Sequence, residues 1–263
     1  MLLTIDVGNT TTVFGFLDPE SGEMALRWEV ATDAQRSSGD WGQLLLPILK
    51  SARITDRSVE GVVVSSVVPS VTAALSEAIV TRLEREPVIV SAERDLGIVL
   101  RVEQPSKVGT DRLVDAVAAY GRYGAPVIVV DAGTATKIDA IATGGIFLGG
   151  AIAPGIGIGL EALARRAAQL RAIPLAQPAQ VIGRNTTEAI QSGVVLGHVA
   201  MIEGMVDRER AMLGADAPVV LTGGYGQLLH PLSTVFRAFE PDLTLDGLRR
   251  LWIRWRGEGE NSL

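Results

Sequence analysis

Two short stretches of this chain carry nearly the same chemistry. Residues 4–14 read Thr-Ile-Asp-Val-Gly-Asn-Thr-Thr-Thr-Val-Phe, and residues 129–139 read Val-Val-Asp-Ala-Gly-Thr-Ala-Thr-Lys-Ile-Asp. Each is an apolar run, then Asp-x-Gly, small polar residues and a return into a second run. Each therefore predicts a strand–turn–strand with an acid and a glycine at its tip. The glycine lets the backbone approach a ligand closely. The amides and hydroxyls of Asn9, Thr10, Thr11, Thr134 and Thr136 supply neutral donors suited to phosphate oxygens. Asp6 and Asp131 have the wrong charge to touch phosphate and make sense beside a cation, for which Mg²⁺ with carboxylate, water and phosphate ligands is the usual solution. A single Asp-x-Gly is an ordinary hairpin turn. Two copies almost half a chain apart predict related halves whose tips face each other as a phosphate clamp.

Four further constellations carry possible chemistry. Val108-Gly109-Thr110-Asp111-Arg112 places an acid–base pair at the start of a helix-like run, where Asp111 reads by default as a plain N-cap. The run 149–157, Gly-Gly-Ala-Ile-Ala-Pro-Gly-Ile-Gly, lets backbone amides line a surface, or is simply a tight strand-to-helix turn. Gly183-Arg184-Asn185-Thr186-Thr187 is a hydroxyl-rich helix entry and by default a cap. Thr222-Gly223-Gly224 follows a strand directly, as expected where a chain passes flat against an adenine or a helix.

The elements that must hold these residues alternate between strand and helix. Runs 1–6, 12–17 and 23–30 read as antiparallel strands, 41–51 as a helix, 61–65 as a short buried strand, 70–85 as a helix and 87–90 as a strand. The order then repeats, with strands at 127–130, 136–141 and 146–152, helices at 159–168 and 188–213, a strand at 219–221 and a closing helix at 243–255. Segment 96–125 crosses between the halves as an expected hinge and cleft wall, and 257–263 read as a frayed tail.

Composition narrows the function classes. The chain has 263 residues, enough for a large core in one or two domains, and 47% hydrophobic against 21% charged residues excludes a disordered chain. A net charge of −6 with no basic block longer than Arg-Arg argues against nucleic acid. The absence of cysteine excludes disulfides and thiolate metal sites. His198 and His230 are the only histidines, which weakens any His-based metal or triad proposal, and His198 reads as a structural or surface residue. No charged leader and no apolar run of about 18 residues is read, so the cytoplasm is the default and no membrane partner is expected.

The duplicated hairpins with a late strand–Gly-Gly resemble the actin, hexokinase and sugar-kinase superfamily. Within it the whole chain resembles the type III pantothenate kinases. The stretches that carry the resemblance run in order: Ile5-Asp6-Val7-Gly8-Asn9-Thr10, Ser65-Ser66-Val67-Val68-Pro69, Gly109-Thr110-Asp111-Arg112, Asp131-Ala132-Gly133-Thr134-Ala135, 149–155, Gly183-Arg184-Asn185-Thr186 and 242–248. The resemblance implies an α/β fold of duplicated ribonuclease H-like, actin-like ATPase halves, with mixed central sheets flanked by helices. It implies an N-terminal half, 1–110, with the first phosphate hairpin, and a C-terminal half, 111–263, with the second hairpin and an adenosine-binding Gly-Gly.

The implied reaction is transfer of the ATP γ-phosphoryl group to pantothenate, the first step of coenzyme A synthesis. Asp6, Val7, Gly8, Asn9, Thr10, Thr11, Thr12 and Val13 would embrace the ATP phosphates, with Asp6 positioning Mg²⁺ through phosphate or water. Thr134 would bind ATP and Asp131 would ligate a monovalent cation, K⁺ or NH₄⁺. Gly109, Thr110, Asp111 and Arg112 would hold pantothenate, with Asp111 as proton acceptor, and Thr186 would bind pantothenate too. The family implies a homodimer with the pantothenate site near the subunit interface. Three positions depart from its pattern. Val102 lies where a Tyr is usual, Thr110 replaces Ala, and Lys137 stands where Thr is common. Lys137 could add a phosphate contact, stand in for the monovalent cation's charge, or point to solvent. The competing readings are a kinase for another small hydroxy acid and a degenerate nucleotide-binding regulator. Retention of Asp6, Asp111 and Asp131 argues against degeneracy.

Overall fold

The computed structural model describes residues 1–52, 58–166, 173–214 and 216–260. Its elements are strands β1 (Leu2–Val7), β2 (Thr11–Leu17), β3 (Met24–Ala31), helix α1 (Ser38–Ala52), β4 (Gly61–Ser66), α2 (Pro69–Leu83), β5 (Val88–Ile89), β6 (Val99–Leu100) and α3 (Thr110–Tyr123). There follow β7 (Val127–Ala132), β8 (Ala135–Ala142), β9 (Ile146–Pro154), α4 (Ile156–Arg166), α5 (Thr186–Gln191), α6 (Gly197–Leu213), β10 (Val219–Thr222), α7 (Gly226–Leu229), β11 (Phe236–Phe239) and α8 (Leu243–Glu260).

Two mixed sheets repeat one plan. The first has the order β3-β2-β1-β4-β5 and the second β11-β10-β7-β8-β9-β6. In each, a central strand pairs antiparallel with the next strand in sequence and parallel with a later one: β1 with β2 and β4, β7 with β8 and β10. Read outward from β1 and β7, the sheets superpose in order, with β6 added to the second edge. The central strands are apolar along nearly their full length because both faces are covered, and Leu2, Leu3, Ile5, Val127, Ile128 and Val130 are fully buried. Phe14, Phe16 and Trp41 fill the first core against α1 and α2, each contributing roughly 1.5–3 kcal/mol by burial. Val195, Val199, Ile202 and Val206 present one stripe of α6 and the π-helical turn before it to the second core.

The chain forms two compact units. One comprises Met1–Gly97, Glu103–Ala118 and Leu243–Leu263, the other Ile98–Val102 and Ala119–Asp242. They differ from the contiguous division at 110/111 because α8 packs on β1 and β4. Trp252 of that helix lies against Gly61, where any added Cβ would collide with the indole, and Leu245 lies against Gly15. Asp246, buried in the same helix, is pushed up by desolvation, but hydrogen bonds from Arg250 and Arg249 outweigh this and hold its carboxyl below the ordinary range.

The structure departs from the sequence expectations at four points. Helix α4 begins at Ile156 rather than 159, since Gly155 already turns the chain, and residues 167–168 lie outside the described ones. Helix α8 continues to Glu260 instead of fraying from 257, and 261–263 lie outside the described residues. Strands β6 and β11 were not read from the sequence. The expectation of no span-length apolar stretch also yields. Among the described residues one helical stretch, Thr186–Leu213, is long and apolar enough to cross a membrane by length and composition, with a mean hydropathy of 1.4 over its best window and 28% of that window buried.

Candidate active site

In the first unit, three chain segments meet at the carboxyl ends of parallel strands. Asp6 is the penultimate residue of β1, partly buried, and in register with Ser65 of β4 and Val13 of β2. The hairpin beyond it closes through Gly8 N–H donating to Thr11 O at 3.0 Å. Thr32, at the end of β3, ties the tip down. Its hydroxyl donates to Gly8 O at 2.8 Å and shares a 2.8 Å hydrogen bond with the buried Thr12 hydroxyl, and its amide donates to Thr10 O. Asn9 and Thr10 remain exposed on the tip, with Thr11 half-buried. Val7 and Thr12 point into the protein and act as anchors, while Val13 faces the same side of the sheet as Asp6.

The Gly109-Thr110-Asp111-Arg112 segment is fastened to the same strand ends. The Thr110 hydroxyl donates to Ser66 O, accepts from Ser66 N–H, and shares a hydrogen bond with Ser65 Oγ, all at 3.1 Å. This fixes the start of α3 beside the register partners of Asp6 and Val7. The Thr110 hydroxyl, one of the departures from the pattern the resemblance implies, is thus taken up by backbone and serine contacts. Gly109 is the N-cap, its carbonyl accepting from Arg112 and Leu113. Asp111 is not the cap. It sits within the first turn, where its Oδ1 accepts from Arg112 N–H at 2.9 Å and the helix dipole favours its charge. A Cβ at Gly109 would meet Asp111 Oδ1, so glycine there leaves the carboxylate its place.

In the second unit, the matching hairpin is one residue shorter. Ala132 pairs with Thr136, and Gly133 N–H donates to Ala135 O at 3.2 Å. Asp131 is therefore directly opposite Lys137, and Lys137 Nζ stands 2.5 Å from Asp131 Oδ2, with both side chains 16% exposed. The strand–Gly-Gly presses on this pair. Gly223 has φ +91°, and a Cβ there would collide with Asp131 Oδ1 and the Ala132 backbone. The Gly-rich run serves the same tip: Gly155 N–H donates to Thr134 O at 3.0 Å, and no side chain fits between them. Thr134 itself is exposed at the tip. Thr136, on the other face of β8, shares a 2.8 Å hydrogen bond with His198 Nε2 on α6. Burial holds that imidazole below its ordinary pKa.

Thr186 is exposed at the first position of α5. The capping default holds for its segment. Asn185 Oδ1 accepts from Glu188 N–H, and Glu188 Oε2 accepts from Arg184 N–H, both at 2.9 Å. A cavity of about 360 Å³ opens nearby, lined by Pro154, Ile156, Val194, His198 and Met201 among others; its lining is largely apolar and does not suit phosphate. Among the described residues, no group of three or more His, Asp or Glu gathers as a metal cage.

The roles of three residues escaped the sequence reading. Thr32 could have been suspected only from its place at the end of the strand beside the first hairpin. Ser65 and Ser66 were noted as part of a motif, but not as the anchor of α3.

Comparison with known proteins agrees along nearly the whole chain. A family model described as type III pantothenate kinase matches residues 2–208. Proteins described as type III pantothenate kinase from Thermomicrobium roseum and Moorella thermoacetica are 46% and 42% identical over 97% of this chain, covering 97% and 99% of theirs. Among solved structures, the activator of 2-hydroxyisocaproyl-CoA dehydratase from Clostridium difficile, with bound ADPNP, covers 100% of this chain and 97% of its own at a TM-score of 0.55 and 10% identity. A Sinorhizobium meliloti protein provisionally classed as a 2-dehydro-3-deoxygalactonokinase covers 97% and 96% at 0.58 and 15%. Both show the same actin-like ATPase fold.

Proposed function

The chain belongs to the type III pantothenate kinase family, and from that premise we propose how its residues transfer the γ-phosphoryl group of ATP to the primary hydroxyl of pantothenate. The product, 4'-phosphopantothenate, enters coenzyme A synthesis. One observation carries the assignment of roles. Thr110 fastens the Asp111 turn to Ser65 and Ser66, the strand partners of Asp6 and Val7. The acid that faces the acceptor and the acid that faces the metal thus share one rigid frame in the first unit.

Asp6 through Val13 bind the ATP phosphates. Amides and hydroxyls at Asn9, Thr10 and Thr11 supply the donors, while Gly8, whose N–H is spent on Thr11 O, shapes the turn; Thr134 is a further proposed ATP contact. The donor set at Asp6, a partly buried carboxylate at a hydroxyl-rich hairpin with the uncharged Val13 across the strand pair, suits Mg²⁺ held jointly by carboxylate, water and phosphate. When bound, the ion supplies neutralisation of the developing phosphate charge. Gly109, Thr110, Asp111 and Arg112 take pantothenate, with Arg112 suited to its carboxylate and Thr186 a further contact. Phosphoryl transfer passes through a loose transition state, so most of the rate comes from positioning. The Asp111 carboxylate, oriented by the Arg112 amide, aligns the hydroxyl and accepts its proton as the bond to phosphorus forms. Such help is typically worth about 10²–10⁴-fold. The monovalent cation that the resemblance assigns to Asp131 does not fit the residues present, because the Lys137 ammonium already faces that carboxylate.

A homodimer completes the reading. The buried residues of Thr186–Leu213 form one stripe, while Met212 is an exposed large hydrophobic residue, as are Val181 and Ile182. The enzyme works in the cytoplasm with its substrates. Release of ADP measured with and without pantothenate tests the proposal. ADP is expected only when ATP and pantothenate are both present, and equal release without pantothenate overturns it.

A further inference from the structure

We propose that Lys137 is a tethered monovalent cation, and that this enzyme therefore needs neither K⁺ nor NH₄⁺. The inference rests on the functional reading above. It starts from turn length. Because the second hairpin is one residue shorter than the first, the residue facing its aspartate is the second one into the returning strand after Ala135, which is Lys137. In the first hairpin the same position relative to Asp6 falls on Val13. Direct cross-strand partners project to one face of the sheet, and the ammonium reaches Asp131 Oδ2 at 2.5 Å. On its other side the carboxylate lies against Gly223, whose missing side chain leaves it room. Both charged groups are 16% exposed, so the pair is held in the protein rather than spread into solvent.

An alkylammonium is the covalently anchored form of NH₄⁺, one of the two ions the resemblance implies at Asp131. Its charge is the same and it donates hydrogen bonds in the same way. Anchoring replaces capture from solution by an effective concentration set by the chain. A free cation added at Asp131 would meet a carboxylate already neutralised and a like charge beside it. Lys137 thus offsets the negative charge that Asp131 and the phosphates bring together. It acts as a positioning residue for the second hairpin, without touching the transferred group.

The test is a salt series at constant ionic strength, with KCl, NH₄Cl, NaCl or tetramethylammonium chloride, reading ADP and product directly without coupling enzymes. The native enzyme is expected to vary by about two-fold or less across the series. Lys137→Thr is expected to lose about tenfold or more in tetramethylammonium and to recover much of it in K⁺ or NH₄⁺. A second readout needs no turnover. In thermal melts, K⁺ should raise the midpoint of Lys137→Thr over tetramethylammonium and leave the native midpoint unchanged. Steep K⁺ activation of the native enzyme overturns the inference, even if the variant fails to fold. So does a Lys137→Thr enzyme that is fully active and indifferent to K⁺. If no salt supports phosphorylation of pantothenate, the functional reading fails instead, while the melts still decide whether Lys137 fills the cation's place.

Discussion

The two hairpins descend from one pattern and end in different electrostatics. In the first, Asp6 faces Val13 across the strands, and the tip is held by the neutral hydroxyls of Thr12 and Thr32. In the second, Asp131 faces Lys137, and the tip is hemmed in by backbone at Gly155 and Gly223. A one-residue difference in the turn is enough to do this, because it changes which residue stands opposite the aspartate. The second hairpin pairs its acid with the charged residue opposite, while the strand partner of the first hairpin's acid is uncharged. On the reading proposed above, that difference in register divides the labour between the two acids.

If neither hairpin aspartate is the proton acceptor, the largest kinetic effect short of removing the metal should come from outside both. Asp111→Asn is expected to lower kcat by about 10²-fold or more while ATP affinity stays within about a few-fold. Rapid-quench turnover together with nucleotide titration measures the two separately. Full activity in this variant would return the role to a hairpin acid.

The hairpins should also differ in tolerance. Gly223→Ala forces a side chain into a left-handed backbone and onto Asp131, and is expected to cost about 2 kcal/mol or more in denaturant unfolding. Gly8→Ala meets only Thr11 O, at 3.1 Å, and should cost about 1 kcal/mol or less. Equal costs would mean that the second tip is no more tightly packed than the first. Removal of the hydroxyl that ties the first tip, in Thr32→Val, is expected to destabilise by about 1 kcal/mol and to raise KM for ATP with little change for pantothenate.

The smallest effect belongs to the second hairpin's other face. Burial lowers the His198 pKa, so the unfolded chain takes up a proton more readily than the native one. Stability should be unaffected by this group well above pH about 6.5 and should fall as pH drops through that value. His198→Gln should flatten that acid-side slope in urea melts at several pH values; an unchanged slope removes His198 as its source.

Much of this was readable in the residues. Asp-x-Gly after an apolar run marks both hairpins, and the repeated order of elements anticipates the matched sheets. The strands β6 and β11 escaped notice because β6 lies inside the segment read as a crossing and β11, Phe-Arg-Ala-Phe, breaks its apolar run with an arginine, whereas β5 and β10 of the same lengths sit in unbroken apolar runs. The partner of Lys137 escaped because alternation gives its side of the strand but not its register, which depends on whether the turn closes with three residues or four. The hold of Thr110 on Ser65 and Ser66 joins residues more than forty positions apart, and the residue type alone gives no hint of where its hydroxyl goes. Helix α8 packs with the first unit because Trp252 needs the bare backbone of Gly61, a fit visible only in three dimensions.

The division of labour is tested most directly by titrating Mg²⁺ in the kinase assay with Asp6→Asn, Asp131→Asn and the native enzyme. Asp6→Asn is expected to raise the Mg²⁺ concentration for half-maximal rate by about tenfold or more, and Asp131→Asn to leave it within about two-fold of native. Equal shifts in the two variants, or a shift confined to Asp131→Asn, would contradict the account.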